Sequence, residues 1–106
     1  MPKTHAWSLN ARELAPGYRA HLIHTEHTTH SYVDIDPDMP LPAHSHPHEQ
    51  IVNVLEGTLE LVVDGTPHLL NAGDVFVIPG GTPHGCVAHT PCRVLDVFSP
   101  VREEYR

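Results

Sequence analysis

Apolar and polar positions alternate with a period of two along most of this chain, the spacing at which side chains return to one face of a β-strand. Gln50, Val52 and Val54 share one parity, which reads as the face turned inward. After Gly57 the alternation continues as TLELVV, and Asp64-Gly65 follows with the chemistry of a tight hairpin turn. TPHLL leads to a second turn at Asn71-Ala72-Gly73, DVFVIP forms a short strand ending at Pro79, and His84 opens GCVAH. Thr90-Pro91 turns the chain again and CRVLDVF runs back. Upstream, YRAHLIH and SYVDID read as extended segments on either side of a polar TEHTTH loop, closed by Pro37-Asp38. Short strands separated by turns every ~8–12 residues predict an all-β sandwich or barrel. The one helical signal is a short turn at Ala11–Ala15, stopped by Pro16-Gly17. Trp7 reads as a packing anchor.

Composition narrows the picture. At 106 residues the chain suits a single domain, 1–106, with a barrel core over about 18–100. A formal net charge of -7 and the lack of any Lys/Arg cluster argue against a nucleic-acid partner. Eleven histidines would draw that charge toward zero in mild acid. No apolar run approaches the ~20 residues that span a bilayer, so no membrane association is expected. MPKTHAWSLN lacks the apolar core of a signal peptide, and the expected location is cytoplasmic.

Candidate chemistry concentrates in HSHPHEQ. In an extended segment His44 and His46 project to the same side, and Gln50 shares their parity whereas Glu49 does not. Imidazoles facing an apolar interior are costly unless something binds them. A divalent metal is the usual partner, because neutral imidazole is its commonest protein ligand. Pro47 interrupts the strand ladder, so His48 is expected beside the site or at its rim. His21, His24, His27 and His30 recur every third residue, a period that fits neither face of a strand. The threonines among them count against a helix, and the expectation is a solvated loop with scattered imidazoles. His5, His68 and His89 receive no role.

A second stretch answers the first: GDVFVIPGGTPH, from Gly73 to His84. Together the two resemble the double signature of the cupin superfamily. Its first part (His-x-His, three residues, Glu or Gln, six residues, Gly) falls on His44, His46, Gln50 and Gly57. Its second (Gly, five residues, Pro-x-Gly, two residues, His) falls on Gly73, Pro79, Gly81 and His84. Fifteen residues separate the parts, as in compact members. The resemblance implies a jelly-roll β-barrel, a metal shell of His44, His46, Gln50 and His84, and a homodimer.

Cys86 and Cys92 flank the turn near His89 symmetrically. Strands paired about that centre would set them opposite one another, within reach of a disulfide. The expectation is nevertheless two reduced thiols used as small core residues. The same register places His84, Cys86, Cys92, Val94, Asp96 and Phe98 on one face. Asp96 is then a carboxylate inside a barrel beside a metal ligand, where buried carboxylates need a reason.

The ending LDVFSPVREEYR is similar to the C-terminal part of the KdgF group of cupins, small proteins of pectin and alginate breakdown. That group carries Asp-x-Phe, three residues, Arg, matched by Asp96, Phe98 and Arg102. The likeness runs from about Gly17 to Tyr105. It implies a 4,5-unsaturated monouronate as substrate, a small anionic sugar acid whose ring is opened to a linear keto form. Asp96 would then act as general acid/base, Arg102 would clamp the carboxylate, and Phe98 would form an apolar wall. The bland alternatives are Phe98 as core and Arg102 in a surface ion network with Glu103 and Glu104. Gln in place of Glu removes a negative charge from the shell, which favours anion binding over redox work. Zinc, nickel, cobalt, manganese and iron all suit these ligands. Two other classes stay open: an oxygenase or isomerase acting on another small acid, and a module that binds a small ligand without turning it over.

Overall fold

The computed structural model describes residues 3–106 and bears out the all-β expectation with ten strands. They are β1 (Arg12–Ala15), β2 (Tyr18–His24), β3 (Thr29–Ile35), β4 (Leu41–His44) and β5 (Glu49–Glu56). Then come β6 (Thr58–Val63), β7 (Thr66–Asn71), β8 (Val75–Ile78), β9 (His84–Ala88) and β10 (Cys92–Ser99). Helix is confined, among the described residues, to single 3₁₀ turns at Ala6–Ser8 and Glu103–Tyr105. None is long and apolar enough to cross a membrane.

Two antiparallel sheets face one another, one ordered β1-β2-β3-β10-β5-β8 and the other β4-β9-β6-β7. Their inner faces carry the residues picked out by the alternation. Val52 and Val54 of β5, Leu59 and Leu61 of β6, Ile78 of β8 and Val94 of β10 are all buried. The chain crosses between the sheets at Gly57, with Glu56 in one and Thr58 in the other. Its φ is +88°, and a Cβ there would stand 2.3 Å from the Pro91 carbonyl oxygen, so only glycine fits this corner. The Asp64-Gly65 turn joins β6 to β7 with both φ angles positive, 50° and 79°, as a two-residue hairpin requires.

Three expectations need correction. Ala11–Ala15 is not a helical turn, because Arg12–Ala15 forms β1 and pairs with β2, a tertiary contact that overrides weak local propensity. The His21–His30 segment is not one solvated loop: His21 and His24 lie in β2, the extended YRAHLIH, and His30 in β3, leaving only His27 in the connecting loop. Period three had no meaning there because the four imidazoles sit on two strands and a turn. Finally, β9 and β10 do not pair: β9 lies between β4 and β6, while β10 lies between β3 and β5 in the other sheet. Cys86 and Cys92 are free thiols on opposed sheets, and burial pushes Cys86 up to about 11. The shared inward face survives, because it follows from parity within each strand rather than from their pairing.

Trp7 packs as an anchor on the outside of the larger sheet. Its ring meets His21 and Tyr32 edge-on at 5.4 and 5.5 Å, and the Arg93 guanidinium covers it at 4.2 Å. His21 Nδ1 holds the same N-terminal segment through the Leu9 carbonyl, at 2.7 Å.

Candidate metal centre and its cavity

His44 ends β4, His84 opens β9, His46 lies in the β4–β5 connection, and Gln50 sits on the inner face of β5. One ligand nitrogen from each of His44, His46 and His84 lies within 4.8 Å of the other two. Backbone carbonyls set the tautomers. Nδ1 of His44 faces Pro42 O at 3.1 Å, Nδ1 of His46 faces His48 O at 3.0 Å, and Nδ1 of His84 faces Thr82 O at 2.9 Å. A carbonyl only accepts, so each Nδ1 carries the hydrogen and each Nε2 is left with a lone pair. Burial, the Arg102 charge and neighbouring His84 pull His46 below the usual imidazole range, against the Gln50 and His48 oxygens, which favour a protonated ring. His84 is likewise lowered, by burial first and by His44 and Arg102 as well. Neutral rings are the metal-binding form.

Two observations test whether a cation fits. His84 Nε2 is buried with no hydrogen-bond partner. His46 Nε2 and Gln50 Oε1 stand 3.1 Å apart. With the hydrogen on Nδ1, both are acceptors, a repulsive pair that a shared positive ion would turn into two ligands. The donor set is that of a divalent metal site, and the residues fit one. Glu49 is exposed on the outer side, as its parity predicts. His48, expected at the rim, is 9% exposed; it supports His46 through its carbonyl and packs edge-on against that ring at 5.6 Å.

A cavity of about 190 Å³ opens beside the cluster. His44, Gln50, His84, Asp96, Phe98 and Arg102 line it, and His46 closes against it through the Phe98 ring, 5.6 Å away. The structure thus brings all seven sequence-selected residues together. Asp96 is partly accessible by surface area yet lies deep in the barrel, and the two agree because its open side faces the cavity. Burial pushes its carboxyl up to about 6, while the Gln50 amide and the Arg102 guanidinium pull the other way. Its Oδ1 has no hydrogen-bond partner.

Arg102 is not the surface residue of the bland alternative. Its side chain is 11% exposed, with the guanidinium 4.8 Å from the Phe98 ring centre and 4.3 Å from that of Tyr105. It does pair with Glu104, Nε to Oε1 at 2.6 Å, so that half of the alternative holds. The segment carrying Arg102 is held by Thr29 and His24. Thr29 Oγ1 accepts from Arg102 N–H at 2.8 Å and lies 2.9 Å from His24 Nδ1, and His24 Nε2 meets the Tyr105 carbonyl at 3.2 Å. Only one tautomer satisfies all three: Thr29 donates to Nδ1, and Nε2–H donates to Tyr105.

The residues that sequence reasoning missed are Tyr105, which lines the cavity, and the pair His24 and Thr29, which hold its rim. No local pattern marks them, because their role arises from contacts over more than seventy positions of sequence.

Comparison with known proteins agrees with this geometry. The family model for the cupin domain matches residues 31–98. The chain belongs to the cupin family. Among solved structures, KdgF from Halomonas sp. superposes with a TM-score of 0.86 at 33% identity, over 92% of this chain and 91% of that one. The pectin degradation protein KdgF of Dickeya dadantii is 36% identical over 59 residues, 55% of this chain and 54% of that protein. Quercetin 2,3-dioxygenase of Bacillus subtilis is 53% identical over 45 residues, 42% of this chain but 13% of the dioxygenase. The chain therefore spans about half of one of these two relatives and a small part of the other. This cupin thus combines KdgF similarity with a three-histidine cluster of the kind that holds a divalent metal.

Proposed function

We propose that this cupin is a metal-dependent enzyme that opens the ring of a 4,5-unsaturated monouronate to its linear keto acid. The observation that carries the reading is the placement of Asp96 and Arg102 in one cavity with the three-histidine cluster. The likeness to KdgF over nine-tenths of both chains supports it. His44, His46, His84 and Gln50 would hold the ion, which when bound supplies Lewis acidity toward the acid's oxygens. At ~10–15 Å³ for each water-sized group, the cavity takes about 13–19 non-hydrogen atoms, room for a six-carbon uronate.

Arg102 spends Nε on Glu104, which leaves its terminal nitrogens to clamp the substrate carboxylate. Phe98 and Tyr105 pack against the guanidinium, their ring centres 4.8 and 4.3 Å from its central carbon. Asp96 moves the proton. The hydroxyl on the hemiacetal carbon gives its proton to the Asp96 carboxylate, the bond from that carbon to the ring oxygen breaks, and a carbonyl forms. The enolate left at C4=C5 takes that proton back from Asp96 at C4 and becomes a ketone. The change is an isomerisation, so no oxidant or reductant is consumed. A carboxyl with a pKa of about 6 both accepts and returns a proton readily near neutral pH.

The match to quercetin 2,3-dioxygenase supports a second reading, a dioxygenase acting on another small acid. A homodimer is part of the proposal, supported by the exposed Leu55, Val75 and Val77 on the outer face of β5 and β8; light scattering tests it. For the activity, metal content is measured on protein purified without added metal, and a panel of unsaturated uronates is followed by loss of ultraviolet absorbance. A rate no greater than buffer alone sinks the uronate reading, and oxygen uptake with bound iron would replace it by the second.

A further inference from the structure

The inner face of β3 carries Thr29, Ser31, Val33 and Ile35, and only one of the two hydroxyls is used by the protein. Thr29 is fully engaged with Arg102 and His24. Ser31 is 1% exposed, lines the cavity, and its Oγ has no hydrogen-bond partner. Across the β3–β10 pair its register partner is Asp96, whose Oδ1 is also without one. The neighbours at that level, Leu22 on β2 and Val52 on β5, are apolar. A valine at position 31 would continue the core without leaving a polar atom unpaired. Two unpartnered polar atoms side by side on the same sheet face, both lining the cavity, mark a place where a ligand atom belongs.

We propose that Ser31 and Asp96 form a subsite that reads a hydroxyl group of the substrate, which donates to Asp96 and accepts from Ser31. The chemistry selects that group. An ionised carboxylate only accepts, so the ligand must donate to it; the serine hydrogen is free, so the same ligand atom must accept. A carbonyl or carboxylate oxygen would meet Asp96 acceptor to acceptor, and an ammonium would leave the Ser31 hydrogen without a partner. The substrate class is therefore a hydroxylated carboxylic acid, with its carboxylate toward Arg102 and one hydroxyl at this subsite. The inference rests on the proposed ring opening and adds a contact to it. When Asp96 takes the hydroxyl proton, the Ser31 hydrogen bond strengthens on the oxygen that is gaining charge.

The test is calorimetric binding to metal-loaded protein of two unreactive six-membered ring acids, D-glucuronate and cyclohexanecarboxylate, which share a carboxylate and differ in hydroxyls. Ser31→Ala is expected to weaken glucuronate by about 3- to 10-fold and to leave cyclohexanecarboxylate within about 2-fold. Ser31→Cys keeps the volume but supplies a weak donor, so it should follow Ser31→Ala, and thermal melts confirm that both variants fold. Equal weakening of both acids would reduce Ser31 to a packing role and overturn the subsite. Wild-type preference for glucuronate that survives both substitutions would overturn Ser31 alone. If wild-type protein binds neither acid, the organic-acid reading of the cavity fails and takes the subsite with it.

Discussion

Replacing Asp96 by asparagine should make the metal-stripped protein more stable near neutral pH, although it removes the proposed proton-transfer group. Carrying this carboxyl from 3.8 to about 6 disfavours its ionised form in the fold by about 3 kcal/mol, at about 1.4 kcal/mol per pH unit. The folded state thus keeps a proton that the unfolded chain has already lost, so stability falls as pH rises from about 4 to about 6 and stays lower above. Asparagine has nearly the same shape and no charge to desolvate. Asp96→Asn should therefore gain up to about 3 kcal/mol near pH 7.5, shrinking toward zero near pH 4. Urea unfolding of both proteins after chelation measures this directly. With slopes of ~1–3 kcal/mol per molar, the midpoint should move up by about 1–3 M near neutrality. A variant no more stable than wild type near pH 7.5, or a gain independent of pH, would refute the account of Asp96 as a desolvated carboxylate. With metal restored, the same substitution should lower turnover by ~10²–10⁴.

His46→Ala should lose bound metal by elemental analysis while far-ultraviolet dichroism stays that of the barrel, because the apolar faces of the strands supply the stability. Arg102→Lys keeps the charge but loses the planar fork and the stacking on Phe98 and Tyr105, so KM should rise by about 10- to 100-fold with a smaller change in kcat. Gly57→Ala should cost about 2 kcal/mol or more in denaturant unfolding, since the new Cβ meets both the Pro91 carbonyl and an unfavourable φ.

The parity of side chains along each strand was legible in the sequence, and it placed Gln50 inside, Glu49 outside, and Asp96 and Phe98 toward the cavity. Parity is a local property and needs no knowledge of neighbours. Pairing is not local. The apparent hairpin around His89 looked symmetric, yet β9 and β10 enter different sheets, a choice made by β4 and β6 on one side and β3 and β5 on the other. The same limit hid His24 and Thr29, whose hydrogen bonds matter only because residues 101–105 return over them. Histidine spacing misled for a related reason, since a count along the chain ignores the reversal between β2 and β3.

One candidate ligand, His44, sits on a weakly secured edge strand. β4 is the edge of the smaller sheet, four residues long, and its register with β9 is anchored only at Leu41–Cys86 and His44–His84 with an irregularity between. It lies so close to β9 that a Cβ on Gly85 would come within 2.5 Å of the Leu41 carbonyl oxygen. An ion gripped by His44 would then escape when this strand peels away, with the rest of the barrel intact. Its release into excess chelator would run at a ceiling set by peeling, indifferent to how much chelator is present, and Gly85→Ala would raise that ceiling. The lifetime of the bound ion would be written in the fraying of one short edge rather than in the strength of its bonds.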